Sequence, residues 1–217
     1  MSSLIYCADE KEIFVATDTL ATFPDGAPRM FTTKAFVVPH LRMIVCCTGI
    51  QGFLGRWFIE INDRMLVRGI DNLNFHAPKI LPSLFRKYKD EYGIPENILS
   101  TVYHFGFSEN DRLVHSYVYR SENNFVSEQL PYGIRVKPAC KPAESFQLPQ
   151  DLRRMMDEQR SIQESLPRDE RVYIGGEIQA YHLTETATAM YICDQFDDFE
   201  TTEQTIYANY DSQKKSP

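Results

Sequence analysis

The chain has 217 residues, 43% apolar and 24% charged, which is ordinary for a folded domain with its own core. Thirty acidic against 23 basic residues give a formal charge of −7, the wrong sign for a generic nucleic-acid binder. No stretch approaches the roughly 18 apolar residues of a membrane span, Met1-Ser2-Ser3-Leu4 lacks the basic start of a signal peptide, and five unevenly spaced cysteines suit reduced thiols, so a cytoplasmic location is expected.

In chain order, Leu4-Ile5-Tyr6-Cys7-Ala8 and Ile13-Phe14-Val15-Ala16 are apolar runs joined by Asp9-Glu10-Lys11-Glu12. That pattern predicts an antiparallel hairpin. Pro24, Gly26 and Pro28 mark a turn, and Ala35–Val38 with Met43–Cys47 form a second strand pair. The period then lengthens. Phe53, Leu54, Trp57, Phe58, Ile61, Met65 and Leu66 predict an amphipathic helix from Gly52 to about Arg68. A second helix is expected from about Pro78 to Tyr92, with Ile80, Leu81, Leu84, Phe85 and Tyr88 on one face and Gly93 as its stop. Strands return at Thr101–Phe107 and Leu113–Tyr119, and a third at about 125–130. Prolines 131, 138, 142 and 149 make 135–150 a loop, and Asp151–Ser165 reads as a polar surface helix. Val172–Ile174 is a short strand ending in Gly175-Gly176. A helix from about Glu177 to Phe199, a strand at Thr205–Tyr210 and a polar tail at 211–217 complete the reading.

Segregated runs of strands and helices imply an α+β fold. A four-layer αββα sandwich, two antiparallel sheets between helical layers, satisfies the order. One domain is expected over 1–210, with a helical insertion at about 138–168.

Three polar residues, Ser2, Asp18 and Lys34, flank apolar strands. Singly each reads as a solvated or turn residue. Together their spacing resembles the proteasome β-subunit and HslV peptidase branch of the N-terminal nucleophile hydrolases. Ser2-Ser3-Leu4-Ile5 is similar to that family's opening, with Ser in place of Thr. Val15-Ala16-Thr17-Asp18-Thr19-Leu20-Ala21-Thr22 is similar to its Asp segment, sixteen residues on, and Thr33-Lys34-Ala35-Phe36 to its Lys strand, sixteen further. Ile44-Val45-Cys46-Cys47-Thr48-Gly49 resembles the strand that enters the first helix, without a gap from Ser2.

The resemblance implies chemistry. Once Met1 is removed, Ser2 supplies both the attacking hydroxyl and, through its α-amine, the base. Lys34 stabilises the alkoxide, Asp18 holds Lys34, and the backbone N–H near Gly49 faces the oxyanion. Thr22 lies where the family pairs its backbone with an extended substrate. Asp194 in Ile192-Cys193-Asp194 corresponds to the family's second Asp, or is a surface carboxylate. The turn Tyr173-Ile174-Gly175-Gly176 lacks the family's Ser. The function implied is a peptidase on peptide or protein substrates, without metal or organic cofactor. Self-association into a ring is expected, with an ATP-driven unfoldase as partner by analogy. The alternatives are an inactive structural or interaction subunit and an amidase on a small non-peptide substrate.

Other groups read blandly. Adjacent Cys46 and Cys47 face opposite sides of a strand and suit core packing. His104 and His115 are expected to face each other across a hairpin. The mixed charges of 151–165 make a solvated face or a subunit contact.

Overall fold

A computed structural model describes residues 2–50, 52–143, 147 and 149–214. Met1, most of the stretch 144–148 and the end of the expected tail lie outside the described residues.

The N-terminal apolar runs become β1 (Leu4–Ala8) and β2 (Glu12–Asp18), an antiparallel hairpin turned by Asp9, whose carboxylate accepts the Lys11 and Glu12 amides. After it come a small hairpin of β3 (Leu20–Thr22) and β4 (Pro28–Phe31), then β5 (Ala35–Val38) and β6 (Met43–Thr48). The first helix, α1 (Phe53–Ile59), passes into a wider turn at Glu60–Arg64. The second, α2, runs Ile70–Tyr92 and ends on Gly93 in the left-handed region. It begins eight residues before Pro78 and carries Pro78 and Pro82 within it. Two interior prolines oppose a helix. Ile70, Leu73, Ala77, Leu81, Leu84 and Phe85 on one buried face hold it to the sheet below.

The strands β7 (Thr101–Phe107), β8 (Val114–Arg120) and β9 (Ser127–Gln129) follow. A strand the sequence reading missed, β10 (Gly133–Lys137), pairs with β1. Next is α3 (Gln150–Glu164), as expected, whereas Val172–Ile174 is not a strand. The expected helix at 177–199 is instead the hairpin of β11 (Glu177–Thr184) and β12 (Thr188–Gln195). Ile178 and Ala180 point to one layer and Tyr181 and Leu183 to the other, a two-residue period. The expected last strand lies within α4 (Phe199–Lys214), whose Phe199 stacks on Phe31 at 4.8 Å and whose Asn209 Nδ2 donates to the Pro28 carbonyl.

Two five-stranded antiparallel sheets result, ordered β10-β1-β2-β11-β12 and β5-β6-β7-β8-β9. Leu4, Tyr6, Val15, Ile44, Phe105 and Val118 fill the space between them. The outer face of the second sheet packs on α1 and α2 around Trp57 and Phe53, and that of the first on α3 through Leu152, Met155 and Met156. The fold is thus an αββα sandwich. No helix among the described residues is long and apolar enough to cross a membrane.

Candidate active site

One end of the sandwich gathers the chain start, the end of β2, the start of β5 and the exit of β6. Side chains alternate along β1, with Leu4 facing the second sheet and Ile5 facing α3. Ser2, in the parity of Leu4, is buried at the inter-sheet end. Ser3 has the opposite parity, and its Oγ donates to Gln159 Oε1 of α3 at 2.5 Å.

The carboxylate of Asp18 organises the centre. Its Oδ1 accepts the Ser3 backbone N–H at 2.9 Å and the Lys34 ammonium at 2.8 Å. Its Oδ2 accepts the Gly175 N–H at 3.2 Å. Asp18 is fully buried and Lys34 nearly so, and Lys34 Nζ also donates to the Leu20 carbonyl at 2.6 Å. Burial pulls the Lys34 pKa below its ordinary value, and the Asp18 charge and hydrogen bond oppose that shift. Asp18 and Lys34, sixteen residues apart, therefore pair at one buried point, to which the backbone of Ser3, the residue after buried Ser2, is hydrogen-bonded. The β3–β4 hairpin follows directly, with Thr22 opposite Pro28.

Gly49 leaves β6 at φ +115°, which favours glycine. A Cβ there would lie 2.3 Å from the Leu99 carbonyl oxygen. Ser100 Oγ accepts the N–H of Ile50, next along. The exit of β6 is thereby fixed against the entry of β7, at the same end as Lys34.

Asp194 does not join this centre. It stands on an edge strand, not a helix, opposite Ile178, which is itself opposite Asp18. Its exposed carboxylate accepts from Arg153 of α3. The Gly175-Gly176 turn wraps the Asp18 loop. The Gly175 carbonyl accepts the Thr19 and Leu20 amides, and Gly176 at φ +81° leaves no room for a Cβ beside Thr19.

Three partners escaped the sequence reading: the Leu20 carbonyl, the Gly175 N–H and Gln159. The first two are backbone groups, which no residue type announces. Gln159 was legible, because it continues the stripe of Leu152, Met155 and Met156 at helical spacing and is fully buried.

Cys46, Cys47 and His104 are buried in the core. Burial pushes the Cys47 thiol up to about 12 and Cys46 well above its ordinary value, so neither is a thiolate nucleophile near neutral pH. His104 and His115 do not face each other. His104 lies opposite Tyr117 and accepts the Trp57 indole N–H at 2.8 Å, and His115 contacts Asp71 at 2.7 Å. Among the described residues no group of three or more His, Cys, Asp or Glu side chains is placed to hold a metal ion. Two surface cavities lie at the other end of the sandwich, among the hairpin turns around Asp9–Glu12 and Thr184–Thr186.

Known proteins were compared with this chain. No family model matches it, and no curated protein does. Solved structures do match. A mutant Anbu from Hyphomicrobium sp. strain MC1 superposes with a TM-score of 0.60 at 12% identity, over 100% of this chain and 97% of that one. Anbu from Yersinia bercovieri, described as an ancestral beta-subunit, gives 0.59 at 11% identity over 98% and 94%. A second Hyphomicrobium Anbu gives 0.59 at 12% over 99% and 96%. Identity this low shows a shared fold and no more. The resemblance to the proteasome β-subunit and HslV family read from the sequence is corrected accordingly: no family model matches the chain, and the likeness found is to the fold of Anbu.

Proposed function

We propose that this chain is a proteasome-like amide hydrolase with an N-terminal Ser2 nucleophile, exposed by removal of Met1. The observation that carries the reading is the double use of Asp18 Oδ1, which accepts both the Ser3 N–H and the Lys34 ammonium. One oxygen atom thus ties the backbone next to the nucleophile to the cation that activates it. In the reaction, Ser2 Oγ attacks the amide carbonyl and its proton passes to the Ser2 α-amine. The Lys34 ammonium favours the alkoxide, and the N–H beside Gly49 stabilises the oxyanion. The α-ammonium then protonates the leaving amine, and water hydrolyses the ester left on Ser2. Peptides are the substrates best suited to a cleft between sheet ends, where an extended backbone can pair. The likeness to a structure described as a beta-subunit supports self-association, so the native mass is expected to be a multiple of 25.2 kDa.

The competing reading, a retained fold without turnover, is favoured by Asp194 lying on Arg153 and by the absence of a serine in the turn 173–176. Intact mass and turnover separate the two. The active reading expects a chain lacking Met1 that hydrolyses fluorogenic peptide amides, and Ser2→Ala lowers kcat by at least about 10³-fold with an unchanged Tm. Full activity in Ser2→Ala refutes the nucleophile. Retained Met1 with no turnover selects the inactive reading, and turnover of small amides but not peptides selects an amidase.

A further inference from the structure

A row of side chains crosses the inner face of the first sheet near Ser2. Thr17, Leu4 and Lys137 stand in register across β2, β1 and β10. Residues directly opposite one another share a face. Leu4 packs between the sheets, so Lys137 faces the second sheet. Its contacts agree: Nζ donates to Thr101 Oγ1 of β7 at 3.3 Å and lies 5.8 Å from the centroid of the Tyr103 ring. Leu4, opposite Lys137 at the end of the β1–β10 pair, follows Ser2 by two residues, so Lys137 and the chain start lie at the same end of the first sheet.

A second cation borders the same spot. Arg120 of β8 is opposite Thr101, in the parity of inward-facing Val118. Arg120 is already engaged by Glu128 of β9. Lys137 forms no ion pair with a carboxylate among the described residues, and its hydroxyl partner carries no charge. Burial and the neighbouring Arg120 lower its pKa, and Cys47, Glu122 and Cys46 only partly oppose them. A buried cation in this state gains from a counter-charge. In the same row, Thr17 Oγ1 is buried without a hydrogen-bond partner among the described residues.

We propose that the Lys137 ammonium, backed by Arg120, binds a substrate carboxylate beside Ser2, so that the favoured substrates are peptides with an acidic residue next to the scissile amide. The inference rests on the Ser2 reading, and the test separates the two. Fluorogenic peptide amides carrying Glu, Gln or Lys beside the scissile bond are compared on the full chain. Glu is expected to exceed Gln by at least about tenfold in kcat/KM, the worth of one charge-assisted hydrogen bond. Lys137→Met, or Lys137→Gln should that variant fold poorly, brings the Glu:Gln ratio to about one, and Lys137→Glu turns the preference toward Lys. The control Lys141→Met, an exposed cation on the following loop, keeps the wild-type ratio. Calorimetric binding of the corresponding acetylated Glu and Gln peptides is measured in parallel. Hydrolysis without a Glu preference, or a preference that survives Lys137→Met, overturns the subsite and leaves Ser2 in place. Absent hydrolysis with Lys137-dependent binding of the Glu peptide overturns the Ser2 reading and keeps the subsite. Equal binding of both peptides without hydrolysis overturns the subsite.

Discussion

At the scale of single residues, the Asp18–Lys34 pair is where sequence spacing and chemistry meet. A buried ammonium is tolerable only with a counter-charge, and Asp18 also accepts two backbone amides that fix its orientation. Asp18→Asn removes the charge and leaves Lys34 buried beside a neutral amide. The expected cost is about 3–5 kcal/mol in urea unfolding at pH 7. The sign of its pH dependence is fixed. Lys34 already has a depressed folded pKa, and losing Asp18 depresses it further. The unfolded chain then binds the extra proton, so stability of the variant recovers as pH rises toward the ordinary lysine value of 10.5. A variant equally unstable at pH 7 and pH 9.5, or one as stable as wild type, contradicts the pair's role. The sequence pointed to this centre only through a family resemblance, because Asp18 and Lys34 taken singly read as turn and surface residues. It hid the Leu20 carbonyl and the Gly175 N–H. It also misplaced Asp194, whose partner Arg153 comes from a helix read as surface decoration.

At the scale of elements, α3 and the exit of β6 hold the site from two sides. Leu152, Met155, Met156 and Gln159 of α3 are fully buried, and Gln159 grips both Ser3 Oγ and the Pro138 carbonyl, the latter at 2.6 Å. Met155→Ala is therefore expected to cost about 2–5 kcal/mol, far more than a surface helix would lose. Chemical denaturation measures it, and a loss under 0.5 kcal/mol, roughly the surface range, returns α3 to an appended role. At β6, Gly49→Ala meets both a left-handed backbone and the Leu99 carbonyl oxygen. Its expected cost is about 2 kcal/mol or more, with a fall in turnover exceeding that of a change at exposed Gly93. Element type was legible where period and punctuation agreed, as in β1, β5 and β7. It failed at 177–199, read as a helix, where alternating Ile178, Ala180 and Tyr181, Leu183 fit a strand. It failed again at α4, where Thr- and Tyr-rich sequence favours a strand locally, but docking of Phe199 on Phe31 and Asn209 on Pro28 prevails.

At the scale of the whole molecule, the helical layer and the second sheet are joined by a polar contact inside an apolar core. His104 of β7 is fully buried, lies parallel to Trp57 at 5.8 Å and packs on Tyr119. Its Nε2 accepts the Trp57 indole N–H, so the proton of the neutral ring sits on Nδ1, which has no acceptor among the described residues. A second proton would have to displace the indole bond in a fully buried site that holds no counter-charge among the described residues. Burial accordingly drives the His104 pKa down from 6.5 to about 3. The unfolded chain takes up that proton near 6.5 and the folded chain does not. The contribution of this group to stability is therefore complete above pH 6.5 and is lost as pH falls toward 3, by up to about 1.4 kcal/mol for each pH unit. His104→Gln keeps an acceptor for Trp57 but cannot be protonated. It is expected to be less stable than wild type at pH 7 and to lose stability less steeply between pH 6 and pH 4, so that the two urea midpoints converge on acidification. Parallel slopes over that range would place the acid sensitivity of the fold elsewhere and leave the Trp57–His104 contact as packing alone.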